Sequence, residues 1–133
     1  MAWTPEQQQA IDLEGKNIIV SAGAGSGKTA VLTARTLRKL QSGIHVNELL
    51  ILTFTNAAAA EMKERIRKAI KEAGLKEQLN YIDSAYITTF DAYVLSLIKK
   101  YHYLLNLSSK INIIDSSIIN KTKKEYLNDI FNE

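Results

Sequence analysis

The apolar residues of this chain fall into two kinds of run. Ile18-Ile19-Val20, Leu49 to Phe54 and Ala85 to Thr88 are short and continuous, the form of strands buried in a sheet. The first of these predicts a strand over Lys16 to Ser21. Between them the spacing turns helical. Met62, Ile66, Ile70 and Ala73 share one face of a predicted helix from Ala57 to about Ala73. Val94, Leu97, Ile98, Tyr101 and Leu105 form the expected buried stripe of another, from Asp91 to Leu105. Punctuation agrees with this division. Thr4 is placed to cap a first helix, Pro5 suits its first turn, and Gln7 stands at the capping-box position. A helix from Ala30 to Leu40 stops near Gly43, and Gly74 closes the helix that Asn56 is placed to cap. Residues 75–84 read as a short helix or loop, Lys110 to Ile114 as extended, and Ser116 or Ser117 as the cap of a last helix. Strands that alternate with helices predict an α/β fold, a parallel sheet with crossover helices. The composition shifts near Ser108-Ser109 toward Asn, Ile, Lys and Ser, which divides the chain into 1–108 and 109–133.

The chemistry begins with the run Ala22-Gly23-Ala24-Gly25-Ser26-Gly27-Lys28-Thr29. A glycine-rich turn between a strand and a helix is the context of a phosphate-binding loop, and it makes ATP or GTP the first ligand to consider. Backbone N–H groups and the positive end of the helix dipole hold the phosphates. Lys28 is placed to reach the β- and γ-phosphates, and Thr29 to offer its hydroxyl to Mg²⁺. The candidate nucleotide contacts run from Ala22 through Ala30. Ala22 stands where the strict pattern has Gly, and it keeps a small side chain there. The plainer reading, a flexible turn, does not account for Lys-Thr after the final glycine.

Composition narrows the rest. The formal net charge of +3 agrees with a polyanionic partner, but Glu61 with Arg65 and Glu64 with Lys68 are spaced to form a solvated, paired helix face. There is no cysteine, which excludes disulfides and cysteine-held metals, and His45 and His102 lie too far apart in sequence to suggest a metal site. No secretory signal and no membrane-length apolar stretch is visible, so the chain reads as cytoplasmic, with no membrane partner.

A second constellation lies where the later strands end. Leu52-Thr53-Phe54-Thr55-Asn56 leads into Ala57-Ala58-Ala59-Ala60-Glu61-Met62, and Ile87-Thr88-Thr89-Phe90 ends the third strand. Ligands of open α/β sheets bind beyond the carboxyl ends of the strands, so hydroxyls, an amide and two rings are expected on the rim of the phosphate loop. Phe54 and Phe90 either stack on the bases of a single strand or cap the sheet as core residues; the residues alone leave both open.

With these segments in order, the chain resembles the N-terminal part of a superfamily 1 DNA helicase of the UvrD/Rep/PcrA type, and is especially similar to the AddA and RecB branch of helicase–nuclease proteins. Trp3-Thr4-Pro5-Glu6-Gln7 resembles the adenine-sensing Q motif, Ala22 to Thr29 motif I, Thr53 to Asn56 with the alanines and Glu61-Met62 motif Ia, and Thr88-Thr89-Phe90 motif Ib. The resemblance implies a partial RecA-like P-loop NTPase domain, truncated, with residues 1–108 as the early part of lobe 1A and 109–133 as the start of the helical 1B insertion. It implies ATP and Mg²⁺ as cofactors. Gln7 would hold the adenine edge, since an amide pairs with N6 and N7 together, and Lys28 and Thr29 would act in catalysis. Thr53, Phe54, Thr55, Asn56, Thr89 and Phe90 would line a single-stranded DNA track. The partners implied are a second RecA-like lobe and, in some members, a nuclease subunit.

Two departures stand out. Ala57 replaces a frequent Lys, and Asp91-Ala92 replaces the usual His-Ser, with Asp91 better placed to begin a helix than to face a phosphate. Hydrolysis also needs a residue that orients water and charge on the transferring phosphoryl group. No Asp-Glu pair occurs in this chain, and Ile111 to Asp115 comes too early to be the metal-binding strand. The expectation is therefore the ATP-binding N-terminal piece of a 3′→5′ helicase of DNA repair, inactive alone. The alternatives are a nucleotide-gated module that binds single-stranded DNA without motor activity, and a P-loop kinase or other NTPase unrelated to DNA, against which motif Ia speaks.

Overall fold

Thr4 starts the first helix, α1 (Pro5–Asp12), through a reciprocal cap. Its Oγ1 accepts from the Gln7 N–H at 3.2 Å, and the Gln7 Oε1 accepts from the Thr4 N–H at 3.0 Å. The computed structural model describes residues 2–108, 110–111 and 116–131. After α1 come α2 (Lys28–Gln41), β1 (Leu50–Thr53), α3 (Asn56–Glu72), β2 (Tyr86–Thr89), α4 (Phe90–Tyr101) and α5 (Ser116–Phe131). Short 3₁₀ turns cover Val46–Glu48, Lys76–Asn80 and His102–Leu105. The chain divides into two compact units, Met1–Val94 and Leu95–Glu133.

In the first unit, β1 and β2 pair in parallel, from Leu50 with Tyr86 to Thr53 with Thr89. Parallel neighbours need a crossover, and α3 supplies it. Ala59, Met62, Ile66 and Ile70 stand on its buried face. The last three join Ile51 and Ile87 of the strands, with Leu40, Val46 and Ile82 completing the core. Buried Gln78 ties the chain around this core, its Oε1 accepting from the Val46 N–H at 2.9 Å. The turn before β2 is anchored to α3 at Asp83, whose carboxyl Lys63 and Arg67 hold below the usual carboxylate range by hydrogen bonds and charge.

The mixed α/β class, the parallel pair and the alternation of elements agree with the pattern of the sequence. Several details differ. Residues 17–22 form no strand. A strand exists through its ladder partners, and among the described residues β1 and β2 bond only to each other. Ile19 is 96% exposed and Val20 51%. The cap of α3 is Thr55, not Asn56: the Thr55 Oγ1 accepts from the Ala58 N–H at 3.1 Å, which makes Asn56 the first helical residue. Ala73 is exposed because the helix has already ended at Glu72. Glu61 pairs with Arg65, but Glu64 pairs with Arg67 and leaves Lys68 to Glu72. The helix expected to reach Leu105 ends at Tyr101, and its stripe is not buried, with Val94 50% exposed. Apolar spacing names a face, but only a covering element buries it. The capping role of Ser116 or Ser117, and most of the segment from Lys110 to Asp115, lie outside the described residues and side chains.

Candidate functional site

The phosphate loop opens directly into α2. Gly25 and Gly27 take the left-handed conformation at φ 75° and 83°, which costs a residue with a side chain about 1–2 kcal/mol. Gly27 is further restricted, since a Cβ there would lie 3.3 Å from the Gln7 Nε2. It caps α2 without a side-chain hydrogen bond. The first N–H groups of a helix have no partner within it, which leaves those of Lys28, Thr29 and Ala30 available to an anion.

Within the loop, the Ser26 Oγ donates to the Gly23 carbonyl at 2.8 Å. The Lys28 Nζ donates to the carbonyls of Ala22 and Gly23 at 2.7 and 2.6 Å. These contacts hold a positive charge over the turn. Lys28 and Thr29 are exposed. The turn remains open on one side: a cleft of about 320 Å³ runs from Thr4, Gln7 and Ala10 to Ala22, Ser26 and Lys28. Small-ligand pockets begin near this size, about 300 Å³. Uncapped helix donors, left-handed glycines, a lysine and an open cleft form a donor set that fits a nucleoside triphosphate with its Mg²⁺.

Gln7 reaches this loop from α1, its Nε2 donating to the Ser26 carbonyl at 3.1 Å. Its Oε1 is held by Thr4, so both ends of the amide are oriented. An amide has two N–H groups and two lone pairs, which leaves one of each for a ligand. Trp3 is half-buried and lines a different groove, between α2 and α3.

At the carboxyl ends of β1 and β2 the aromatic residues face solvent. Phe54 is 93% exposed, and its ring centroid lies 5.9 Å from that of Phe90. Neither ring is in the core, which decides against one of the two readings open from the sequence. Thr53 is half-buried, its Oγ1 donating to the Thr55 carbonyl at 3.0 Å, while Thr55 and Asn56 are exposed. Thr89 is only 8% exposed, and its Oγ1 accepts from the Ala92 N–H at 3.2 Å. Its side chain starts α4. Asp91 stands in the first turn of α4, where the dipole favours a carboxylate.

The tie between the first two helices was not singled out by sequence pattern. Arg35, Arg38 and Lys39 stand on one side of α2 and reach the end of α1. The signal was available: three cations at i, i+3 and i+4 facing Asp12 and Glu14 across the loop. Lys39, by hydrogen bond and charge, holds the Glu14 carboxyl below its ordinary range. Among the described residues no group of His, Asp and Glu is arranged to hold a metal by itself, and no helix is long and apolar enough to cross a membrane.

Comparison with known proteins agrees with the resemblance in the sequence. The family UvrD/REP helicase N-terminal domain matches residues 3–133. The AddA protein of Lactobacillus acidophilus, an ATP-dependent helicase/nuclease subunit, is 50% identical over 121 residues, covering 84% of this chain and 10% of that protein. Its counterpart in Heliobacterium modesticaldum is 41% identical over 137 residues, 97% of this chain and 10% of its own. That of Geobacillus thermodenitrificans is 40% identical over 142 residues, 98% of this chain and 11% of its own. The chain spans about a tenth of the length of these curated relatives. With loop, amide and exposed rings all within the matched residues, the chain belongs to the UvrD/REP helicase N-terminal domain family.

Proposed function

We propose that this chain is the ATP-binding N-terminal portion of a DNA helicase that moves 3′→5′ along single-stranded DNA. The observation that carries this reading is the loop with its left-handed glycines, joined to Gln7 by the 3.1 Å bond to Ser26. One cleft then offers donors for phosphate at one end and an oriented amide for a base at the other. Residues 1–108 are the early part of a RecA-like lobe, and 109–133 open a helical insertion. The relatives are named for an ATP-dependent helicase/nuclease, which favours a motor over a passive binding module and suggests a nuclease partner. Family membership leaves the unrelated-kinase reading without support.

In this reading ATP supplies the free energy and Mg²⁺ neutralises the charge between its phosphates. The N–H groups of the α2 N-terminus and the Lys28 ammonium bind and orient the phosphates. The Thr29 hydroxyl would hold the metal, and Gln7 would read the base. Phe54 and Phe90 offer ring faces to nucleobases, with Thr55 and Asn56 beside them. Thr89, buried as a helix cap, supports this surface from beneath.

Two experiments test the proposal. The 133-residue chain alone is expected to show no steady ATP turnover, because it holds no Asp-Glu pair to orient water; turnover that Lys28→Ala abolishes would refute this. In the complete gene product, Phe54→Ala is expected to weaken oligonucleotide binding by about 1–3 kcal/mol. Because a ring carries no charge, the slope of affinity against salt should stay the same. Unchanged affinity across several salt concentrations removes Phe54 from the track.

A further inference from the structure

Helix α1 is held at its far end as well as by its cap. The Leu13 N–H bonds to the Gln9 carbonyl, so the carbonyls that follow lie past the last intrahelical bond. Arg35 of α2 answers two of them, its Nη1 donating to Ala10 at 2.7 Å and to Ile11 at 3.3 Å. Arg38 pairs with Asp12, and Lys39 with Glu14 at 2.7 Å. These last two are solvent-facing ion pairs, a kind worth little. Arg35 is half-buried and bonds to backbone, so it sets position rather than adding surface charge. An eight-residue helix does not persist alone in water, and Ile11 is the only residue that α1 buries. Its placement therefore depends on the grip of Arg35 at one end and the Gln7–Ser26 bond at the other. Ala10 and Ile11 lie three and four residues after Gln7, so the guanidinium holds the backbone of the turn that follows the amide.

The geometry points to Arg35 as a positioning residue for base selectivity, an inference that rests on the nucleotide site proposed above. By holding the last turn of α1, Arg35 fixes where the Gln7 amide stands against the Ser26 carbonyl. The remaining N–H and lone pair of that amide match the acceptor N7 and donor N6 of adenine. Guanine presents two acceptors at the same edge, and its O6 would face the amide oxygen. A displaced α1 loses this distinction and leaves the phosphate loop intact.

The test uses the complete gene product and measures equilibrium binding of fluorescent ATP and GTP analogues, with inorganic tripolyphosphate as a competitor that reports the loop alone. Arg35→Met keeps the aliphatic stem and removes the donors. It is expected to lower ATP affinity about tenfold, the worth of one hydrogen bond to a charged or well-oriented partner, and to reduce the ATP/GTP ratio to that of Gln7→Ala. Tripolyphosphate affinity should stay at the wild-type value, and adding Gln7→Ala to Arg35→Met should cost no further selectivity. Arg35→Lys keeps one donor group and should give an intermediate ratio. A wild-type ratio in Arg35→Met overturns the inference, as does an equal loss of ATP and tripolyphosphate, which would mark general damage to the fold. If Arg35→Met does not fold, a wild-type ratio in Arg35→Lys overturns it instead. A wild-type protein that binds ATP and GTP alike overturns the reading of Gln7 itself, a failure visible before any substitution is made.

Discussion

Lys28→Ala in the complete gene product is expected to weaken binding of ATP with Mg²⁺ by about 10- to 150-fold, the equivalent of about 1.5–3 kcal/mol for a hydrogen bond to a charged group. The direction follows from what the ammonium does in the loop. It sits 2.7 and 2.6 Å from the carbonyls of Ala22 and Gly23, so it places positive charge where two backbone dipoles would otherwise turn their negative ends toward a phosphate. The side chain is exposed, and water can solvate those carbonyls when it is removed. The thermal unfolding midpoint should therefore move little, as for surface substitutions within about 0.5 kcal/mol. Equilibrium titration with a fluorescent ATP analogue, alongside a melting curve, separates the two effects. Wild-type affinity in a folded Lys28→Ala protein would remove the loop from nucleotide binding, and the proposed function with it.

Ile70→Ala is expected to be among the most damaging of the simple truncations. Ile70 is 0% exposed and lies in the core between α3 and the sheet. Truncating a buried Ile to Ala costs about 2–5 kcal/mol, because the lost transfer energy adds to that of the cavity left behind. Domain stabilities run to about 5–15 kcal/mol in total, so one such change removes much of the margin. Ala73 is the matched control. Apolar spacing puts it on the same face, yet it is exposed just beyond the last residue of α3, so Ala73→Ser should stay within about 0.5 kcal/mol. Urea unfolding midpoints of the two variants measure the contrast. Equal losses would mean that α3 does not face the sheet as described.

The loop and the cap were legible because their chemistry is local. Thr4 and Gln7 are three residues apart, and their reciprocal bonds follow from that spacing. The same holds for the turn made by the glycines and Lys28, whose contacts lie within a few residues of chain. The face of α3 was legible down to Ile70 because helical period and burial coincide there. Legibility failed where burial needed a neighbour. Ile18-Ile19-Val20 has the composition of a buried strand, yet a strand is made by the chain beside it, and among the described residues none bonds to it. The stripe of α4 failed for the same reason, since apolar spacing does not say what covers a face. The single-residue error at the α3 cap came from two adjacent candidates, Thr55 and Asn56, with similar capping tendencies.

What the sequence determined by itself is the set of short-range devices, the capped first helix and the glycine-rich turn, together with the α/β alternation and the family they indicate. The cap and the turn each depend on residues within a few positions of one another, and the alternation and the family on the order of such local segments along the chain. What only the tertiary structure decided is which distant groups meet. The Gln7 amide on the Ser26 carbonyl, Arg35 on the last turn of α1, the outward rings of Phe54 and Phe90, and the inward hydroxyl of Thr89 all depend on how elements pack. Packing is a property of whole faces set against each other, and no single segment carries the information about its partner.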